Sequence, residues 1–113
     1  TNIFKGVVKN SKVDTPIGSI PASTNMENKE VEIHVRTQGI NLHQEQTPVN
    51  GIKGTVMASR LMGSYSFVHL SVLDKNNNVI HIHSHMHPSF LPIQSSAVGI
   101  EVDKSQTFIF TKD

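Results

Sequence analysis

The clearest pattern in the chain is an alternation of apolar and polar residues with a period of two. It is plain in residues 30–36, EVEIHVR, and it recurs in residues 67–72, 80–83 and 98–103. Successive side chains of a β-strand point to opposite faces of the sheet, so each segment would bury one face and expose the other. The pattern therefore predicts four half-buried strands.

Five further segments favour strands less strongly, because they are rich in Val, Ile, Phe or Thr and are bounded by turn-forming residues. They are residues 3–9, 12–15, 18–21, 54–60 and 106–111. No helical period of useful length competes with them, and at most one turn of helix is expected, near residues 23–29 or 59–62. A polar break at 41–50, NLHQEQTPVN, divides the chain as a linker or as a crossing strand. Many short strands separated by Gly, Pro and Asn predict an all-β barrel or sandwich, which hides sheet edges.

Composition narrows the classes of function. With 36% hydrophobic and 17% charged residues, the chain is expected to fold. Its formal net charge is only +1, with the charges scattered, so nucleic acid is not an expected partner. The absence of cysteine excludes disulfides and thiolate metal sites and fits the cytoplasm. Direct membrane insertion is not expected either, since no apolar run approaches the roughly 20 residues that span a bilayer.

Catalytic motifs are missing from the sequence. It contains no Gly-rich phosphate loop, no zinc-binding quartet and no nucleophile motif. Its carboxylates, such as Glu30, Glu32, Glu101 and Asp103, alternate with apolar positions and are not paired as acid and base. We therefore expect a binding module with no catalytic residues.

Residues 51–73 form a pattern of two strands joined by a corner. The first strand opens with Gly54-Thr55-Val56, the corner is Leu61-Met62-Gly63-Ser64, and residues 97–110 follow later as a closing apolar segment. This arrangement resembles a TOBE domain, the small OB-like barrel at the C-terminus of ATP-binding subunits of bacterial ABC importers. The resemblance covers nearly the whole chain, although each motif is short.

The first half of the chain supports the same resemblance. Thr15-Pro16-Ile17-Gly18 is similar to a Thr-Pro-Leu-Gly segment of importers for ferric iron, polyamines and sulfate. Residues 31–42 resemble a segment in which Arg-Pro-Glu follows a strand. Here Arg36-Thr37-Gln38 keeps the Arg and lacks the Pro and the Glu, which puts in doubt any contact that the family assigns to that acid.

The resemblance implies small OB-like barrels of the TOBE type. Residues 1–48 would be an N-terminal β-subdomain that contributes strands to the regulatory region, and residues 49–113 would be the TOBE-like barrel. The implied function is regulation and dimerisation of an importer ATPase. The domain would bind the transported solute or another effector. The Thr15 to Gly18 segment favours ferric iron as that solute over polyamine, sulfate or sugar. Because Thr1 is not preceded by a methionine, we interpret the chain as a fragment of a longer protein.

The resemblance also implies partners and cofactors. A homodimer through this domain is expected, as is association of the full-length protein with the membrane subunits of an importer. That protein would be cytoplasmic and peripheral to the inner membrane. ATP and Mg²⁺ are expected only in its ATPase portion, so this fragment would hold no cofactor and would not be an enzyme. The alternative is a stand-alone OB-like binding protein for a metal ion or nucleic acid.

Histidines form the sharpest chemical feature of the sequence. His81, His83, His85 and His87 occupy every second position of one predicted strand, and His69 is a candidate partner on a neighbouring strand. Neutral imidazole suits zinc, copper, nickel or ferrous iron. Residues two apart on a strand lie about 6.6 Å apart, so convergence on one ion would need a bend. A solvated polar face and a pH sensor remain the alternatives.

A second candidate site is the corner Gly63-Ser64-Tyr65-Ser66. Its backbone amides and three hydroxyls are suited to an oxyanion such as sulfate. The alternative is a simple turn whose hydroxyls bond to nearby backbone groups. Molybdate itself is not expected, because the Ser-Ala-Arg-Asn segment of related molybdate-binding barrels is absent.

Overall fold

The computed structural model of the chain describes residues 1–44 and 52–112. In these ranges it contains strands and short 3-10 turns but no α-helix, which confirms the all-β prediction. No helix in the same ranges is long and apolar enough to cross a membrane. The strands are β1 (Asn2–Val7), β2 (Lys12–Thr15), β3 (Gly18–Pro21), β4 (Glu30–Val35), β5 (Ile40–His43), β6 (Lys53–Leu61), β7 (Ser66–Leu73), β8 (Val79–Met86), β9 (Ala97–Val102) and β10 (Thr107–Thr111).

Every predicted strand segment is a strand in the structure, and β2 and β3 have the predicted bounds. The start of the polar break at 41–50 belongs to β5, which pairs with β9, so the crossing-strand alternative holds for residues 41–43; Ile40 and Leu42 are buried on either side of Asn41. The rest of that break, from residue 45, lies outside the described residues. A 3-10 turn at Thr24–Met26 confirms the short turn expected near 23–29. The turn considered at 59–62 is wrong, since this segment belongs mostly to β6.

The strands form three antiparallel sheets. The first has the order β1-β4-β10, the second is the β2-β3 hairpin, and the third has the order β5-β9-β6-β7-β8. Two sheets combine strands from both sides of the polar break, because β10 pairs with β4 and β9 pairs with β5. The division into residues 1–48 and 49–113 stays a prediction, and the strand pairing crosses it.

The five-stranded sheet curls until its two edge strands touch. β5 lies against β8, where the hydroxyl of Ser84 donates a hydrogen bond to the backbone carbonyl of Ile40. In the described residues these two strands share no backbone ladder, so the sheet approaches a barrel without closing. The curl brings the inward side chains of both edges into one core.

The core consists of the apolar stripes that the alternation predicted. Val31, Ile33 and Val35 of β4 are fully buried, as are Val68 and Leu70 of β7. They belong to one cluster of buried residues that draws on all three sheets. At about 25 cal/mol per Å² of apolar surface removed from water, this cluster is the main favourable contribution to folding.

Gly54 permits the close approach of β6 to its neighbours. A Cβ atom at this position would lie 2.9 Å from Cδ1 of Ile100 and 3.3 Å from the carbonyl oxygen of Ser71. Contacts this short require a shift of the surrounding core, which is already close-packed. A glycine is therefore needed where β6 passes between β9 and β7.

A bulge interrupts the pairing of β6 with β7. Val56 pairs with Leu70, but the next residue of β7, His69, pairs with Ala58 instead of Met57. The extra residue lets Val56 point into the core while Ala58 lies on the outward face beside His69. The small methyl side chain of Ala58 leaves the β6 side of His69 uncrowded.

Candidate functional site

The outward face of β7 and β8 carries most of the predicted metal ligands. Val68 and Leu70 of β7 are buried, so the residues that alternate with them along the strand point outward. In the antiparallel register, Phe67 pairs with His85 and His69 pairs with His83, and Ser71 pairs with His81. The histidine face, as we name it, consists of Phe67, His69, His81, His83 and His85.

His69 lies at the centre of the histidine face and contacts two other imidazole rings. Its Nε2 atom is 2.9 Å from Nδ1 of His81, which lies diagonally across from it, two residue pairs away along the strands. Its ring stacks on that of His83, with 4.7 Å between the ring centroids. In the nitrogen contact one imidazole donates a hydrogen bond and the other accepts it, so both rings can be neutral.

His83 is held in place by its backbone as well as by its ring. Its N–H donates to Oδ1 of Asn2 at 2.8 Å, and its carbonyl accepts from Nδ2 of Asn2 at 2.9 Å. Asn2 therefore occupies the position of a pairing strand on the free edge of β8. On the other side, the ring of Phe67 stacks on that of His83 with 5.2 Å between centroids.

Sequence reasoning missed Asn2. The residue precedes an apolar strand, where an asparagine suggests only a turn or a strand start. Its partner His83 is 81 positions away in the sequence, and no local pattern relates the two. Only the packing of β1 against the edge of β8 reveals the contact.

The remaining predicted ligands do not join the contact between His69 and His81. His85 stacks on Tyr65, with ring centroids 3.8 Å apart. His87 lies beyond the end of β8, where its Nδ1 is 2.7 Å from Oγ of Ser89. Across residues 1–44 and 52–112, no group of three or more His, Cys, Asp or Glu side chains is arranged to hold a metal ion.

The structure separates the hydroxyls of the predicted oxyanion corner. Gly63 has a φ of +87°, and the N–H of Met62 donates to the carbonyl of Tyr65, which closes the turn between β6 and β7. Ser64 is exposed, whereas Ser66 is buried and its hydroxyl has no hydrogen-bond partner among the described residues. The ring of Tyr65 packs on that of His85, so the residues of this corner have different surroundings, and the oxyanion site stays a prediction.

Burial lowers the pKa of His69 below its usual value, and the positive charges that His83 and His81 would carry lower it further. The neutral form of His69 is therefore favoured in the folded protein. This gives the histidine face a defined response to pH, because the unfolded chain would bind a proton at His69 more readily than the folded chain does.

We expect the free energy of unfolding to fall as the pH is lowered below about 6.5, the ordinary pKa of histidine. The contribution of His69 is present above that pH and is lost between it and the lower pKa of the folded state. Urea unfolding from pH 7.5 to pH 5 measures this, and His69→Gln should make the dependence shallower. His87→Gln is the matched control, and an equal flattening in that variant would contradict the assignment. Carboxylates whose pKa is lowered in the folded protein, such as Glu32, change the free energy of unfolding only at pH values below this range.

The chain was compared with models of protein families and with curated proteins. It matches no family model and no curated protein.

Proposed function

We propose that this chain is the C-terminal regulatory and dimer-stabilising domain of the ATP-binding subunit of an ABC importer, built on the TOBE plan. The observation that supports this most is the pairing of β6 with β7 around the corner Leu61-Met62-Gly63-Ser64. The TOBE pattern has a Gly-x-Val strand, a Leu-Gly corner and an alternating strand in this order. In this chain the glycine of the first element, Gly54, has a steric reason to be there.

The Thr15-Pro16-Ile17-Gly18 segment gives further support, because each end of it has a role in the β2-β3 hairpin. The hydroxyl of Thr15 donates to the carbonyl of Gly18 at 2.7 Å and accepts from the N–H of Ile17 at 3.2 Å. Gly18 has a φ of +116°, which side-chain-bearing residues rarely adopt. The segment that resembles the importer motif is thus a compact turn with a defined structure.

Regulation by such a domain requires two arrangements of the ATPase dimer. A solute or a signalling protein that binds one arrangement better than the other shifts the equilibrium by the difference in binding free energy. Typical couplings are about 1 to 3 kcal/mol. The domain itself hydrolyses nothing in this proposal, and ATP and Mg²⁺ belong to the ATPase portion.

We assign the dimer contact to β10 and the outward face beside it. β10, with the sequence TFIFT, is an edge strand that contains neither proline nor a charged residue, the usual protections of a free edge. Phe108 and Phe110 are 41% and 52% exposed. The ring of His34 in β4 meets that of Phe110 edge-on, with 4.9 Å between the ring centroids, so the aromatic surface continues onto β4.

The double substitution Phe108→Ser and Phe110→Ser is expected to convert a dimer into a monomer, because it removes the apolar surface that a second copy would cover. Sedimentation equilibrium over a range of protein concentrations measures this. Leu73→Ser with Val79→Ser is the matched control, since these apolar side chains lie on a different sheet and are at least as exposed, at 60% and 57%. A wild-type protein that stays monomeric at all concentrations would contradict the dimer assignment.

The genomic context tests the importer proposal itself. The codons upstream of Thr1 should encode an ATPase with a Gly-rich phosphate loop, in frame with this chain. A stop codon or a start codon directly before Thr1 would refute the proposal. The second candidate, a stand-alone OB-like protein that binds a metal ion, would then be preferred because of the contact between His69 and His81.

A further inference from the structure

His69 and His81 bring two imidazole nitrogens to the separation of neighbouring metal ligands. Nε2 of His69 is 2.9 Å from Nδ1 of His81. Two nitrogens that each lie about 2.05 Å from an ion, at this separation, subtend an angle of about 90°. That angle suits adjacent positions of a square-planar or octahedral ion, whereas a tetrahedral zinc ion requires about 109°.

We propose that His69 and His81 form a two-histidine site for a divalent late transition-metal ion, with copper(II) preferred and nickel(II) next. Imidazole nitrogen suits both ions, tetragonal geometry is typical of them, and copper(II) has the highest affinity in the divalent series. Water fills the other positions. This site goes beyond the regulatory function proposed above and does not depend on it.

The surroundings of the two rings allow an ion to enter. His81 is exposed and His69 is partly exposed, and the β6 neighbour of His69 in the register is the small Ala58. In the present contact the two nitrogens face each other across a hydrogen bond. The second side-chain torsion of histidine is broad, so rotations of both rings can turn the two lone pairs toward one point.

Metal binding needs no loss of a proton when both rings are neutral. The ring proton of His69 lies on Nδ1 and that of His81 on Nε2 in the bound state, which leaves the two facing nitrogens free to donate electron pairs. The His69 ring also stacks on that of His83, with 27° between the two ring planes.

A bound ion would join β7 to β8 on the outward side of the sheet. The ion binds only where the two strands are paired, so it stabilises the folded state. At ion concentrations above the dissociation constant, this stabilisation grows with the logarithm of the concentration. β8 is an edge strand of its sheet, with β7 as its neighbour in the strand order, and the ion would add a second link between these two strands.

The test is a titration of the tag-free protein with copper sulfate and then with nickel chloride at pH 7.5, followed by calorimetry and by electron paramagnetic resonance of the copper form. We expect one saturable equivalent at micromolar copper, with hyperfine coupling to two nitrogens, and a rise in Tm. His69→Gln and His81→Gln should each weaken binding by at least about tenfold and abolish the rise in Tm.

Three control variants make the result specific. His85→Gln changes the same face without touching the nitrogen pair and should leave binding unchanged. His34 and His43 lie beside Glu32 and Glu101, at 3.1 Å and 3.3 Å, so His34→Gln and His43→Gln test those pairs as competing sites. The proposal is overturned if wild-type protein shows no saturable binding, if the copper spectrum lacks two nitrogen ligands, or if binding survives both His69→Gln and His81→Gln.

Discussion

Leu70→Ala is expected to lower the free energy of unfolding by about 2 to 5 kcal/mol, the largest effect of any single substitution proposed for this chain. Leu70 is fully buried in β7, and its strand neighbours in the register are Val56 of β6 and Ile82 of β8, both also fully buried. Removing its side chain leaves a cavity between three strands that pair rigidly. The loss would be a large share of a total stability that is about 0.05 to 0.15 kcal/mol per residue.

Chemical unfolding of the wild type and the variant in urea measures this loss. Leu73→Ala is the matched control, because Leu73 lies three residues further along the same strand and is 60% exposed. Its substitution should change stability by less than about 0.5 kcal/mol. Equal losses in the two variants would mean that the sheet does not bury the face that the register indicates.

The second large effect is expected for Asn2→Ala, which should cost about 1 to 3 kcal/mol by leaving buried polar groups without partners. Asn2 is only 6% exposed, and it bonds to both backbone groups of His83. Its Nδ2 atom also lies 3.4 Å from the carbonyl of Val35, so a single side chain connects β8 to the β1-β4-β10 sheet. The variant should therefore weaken the contact between two sheets.

Amide hydrogen exchange separates this role from a general loss of stability. The amide of His83 should lose protection in Asn2→Ala more than the buried strands do. Asn2→Asp is a useful comparison, since a carboxylate still accepts from the His83 amide but can no longer donate to the two carbonyls. Unchanged protection of His83 in Asn2→Ala would show that this side chain does not hold the edge of β8.

Alternation predicted four of the strands because burial on one face imposes a period of two on each of them. β4 and β7 show this most clearly, with every second residue buried. For β5 the sequence left a linker and a crossing strand as alternatives, because the strand is short and begins a stretch that is polar overall. Its Ile40 and Leu42 become visible as a stripe only when β9 is known to lie beside them.

The histidine face was predictable in part. The spacing of His81, His83 and His85 indicated a shared face, and the register of β8 with β7 accounts for His69. Distances within the face were not predictable, because residues on one strand are too far apart and the close contact is a diagonal one between strands. The bulge that sets Ala58 beside His69, and the bonds from Asn2, depend on packing that no short motif encodes.

The pairing of β4 with β10 has a consequence for synthesis of the protein on the ribosome. β4 has β1 and β10 as its neighbours, and β10 is made long after the other two. At about 5 to 20 residues per second, one side of β4 stays without a partner for several seconds while the intervening chain is translated. During that interval the unpaired edge of β4 is open to pairing with other nascent chains, which is a route to aggregation until β10 has been made.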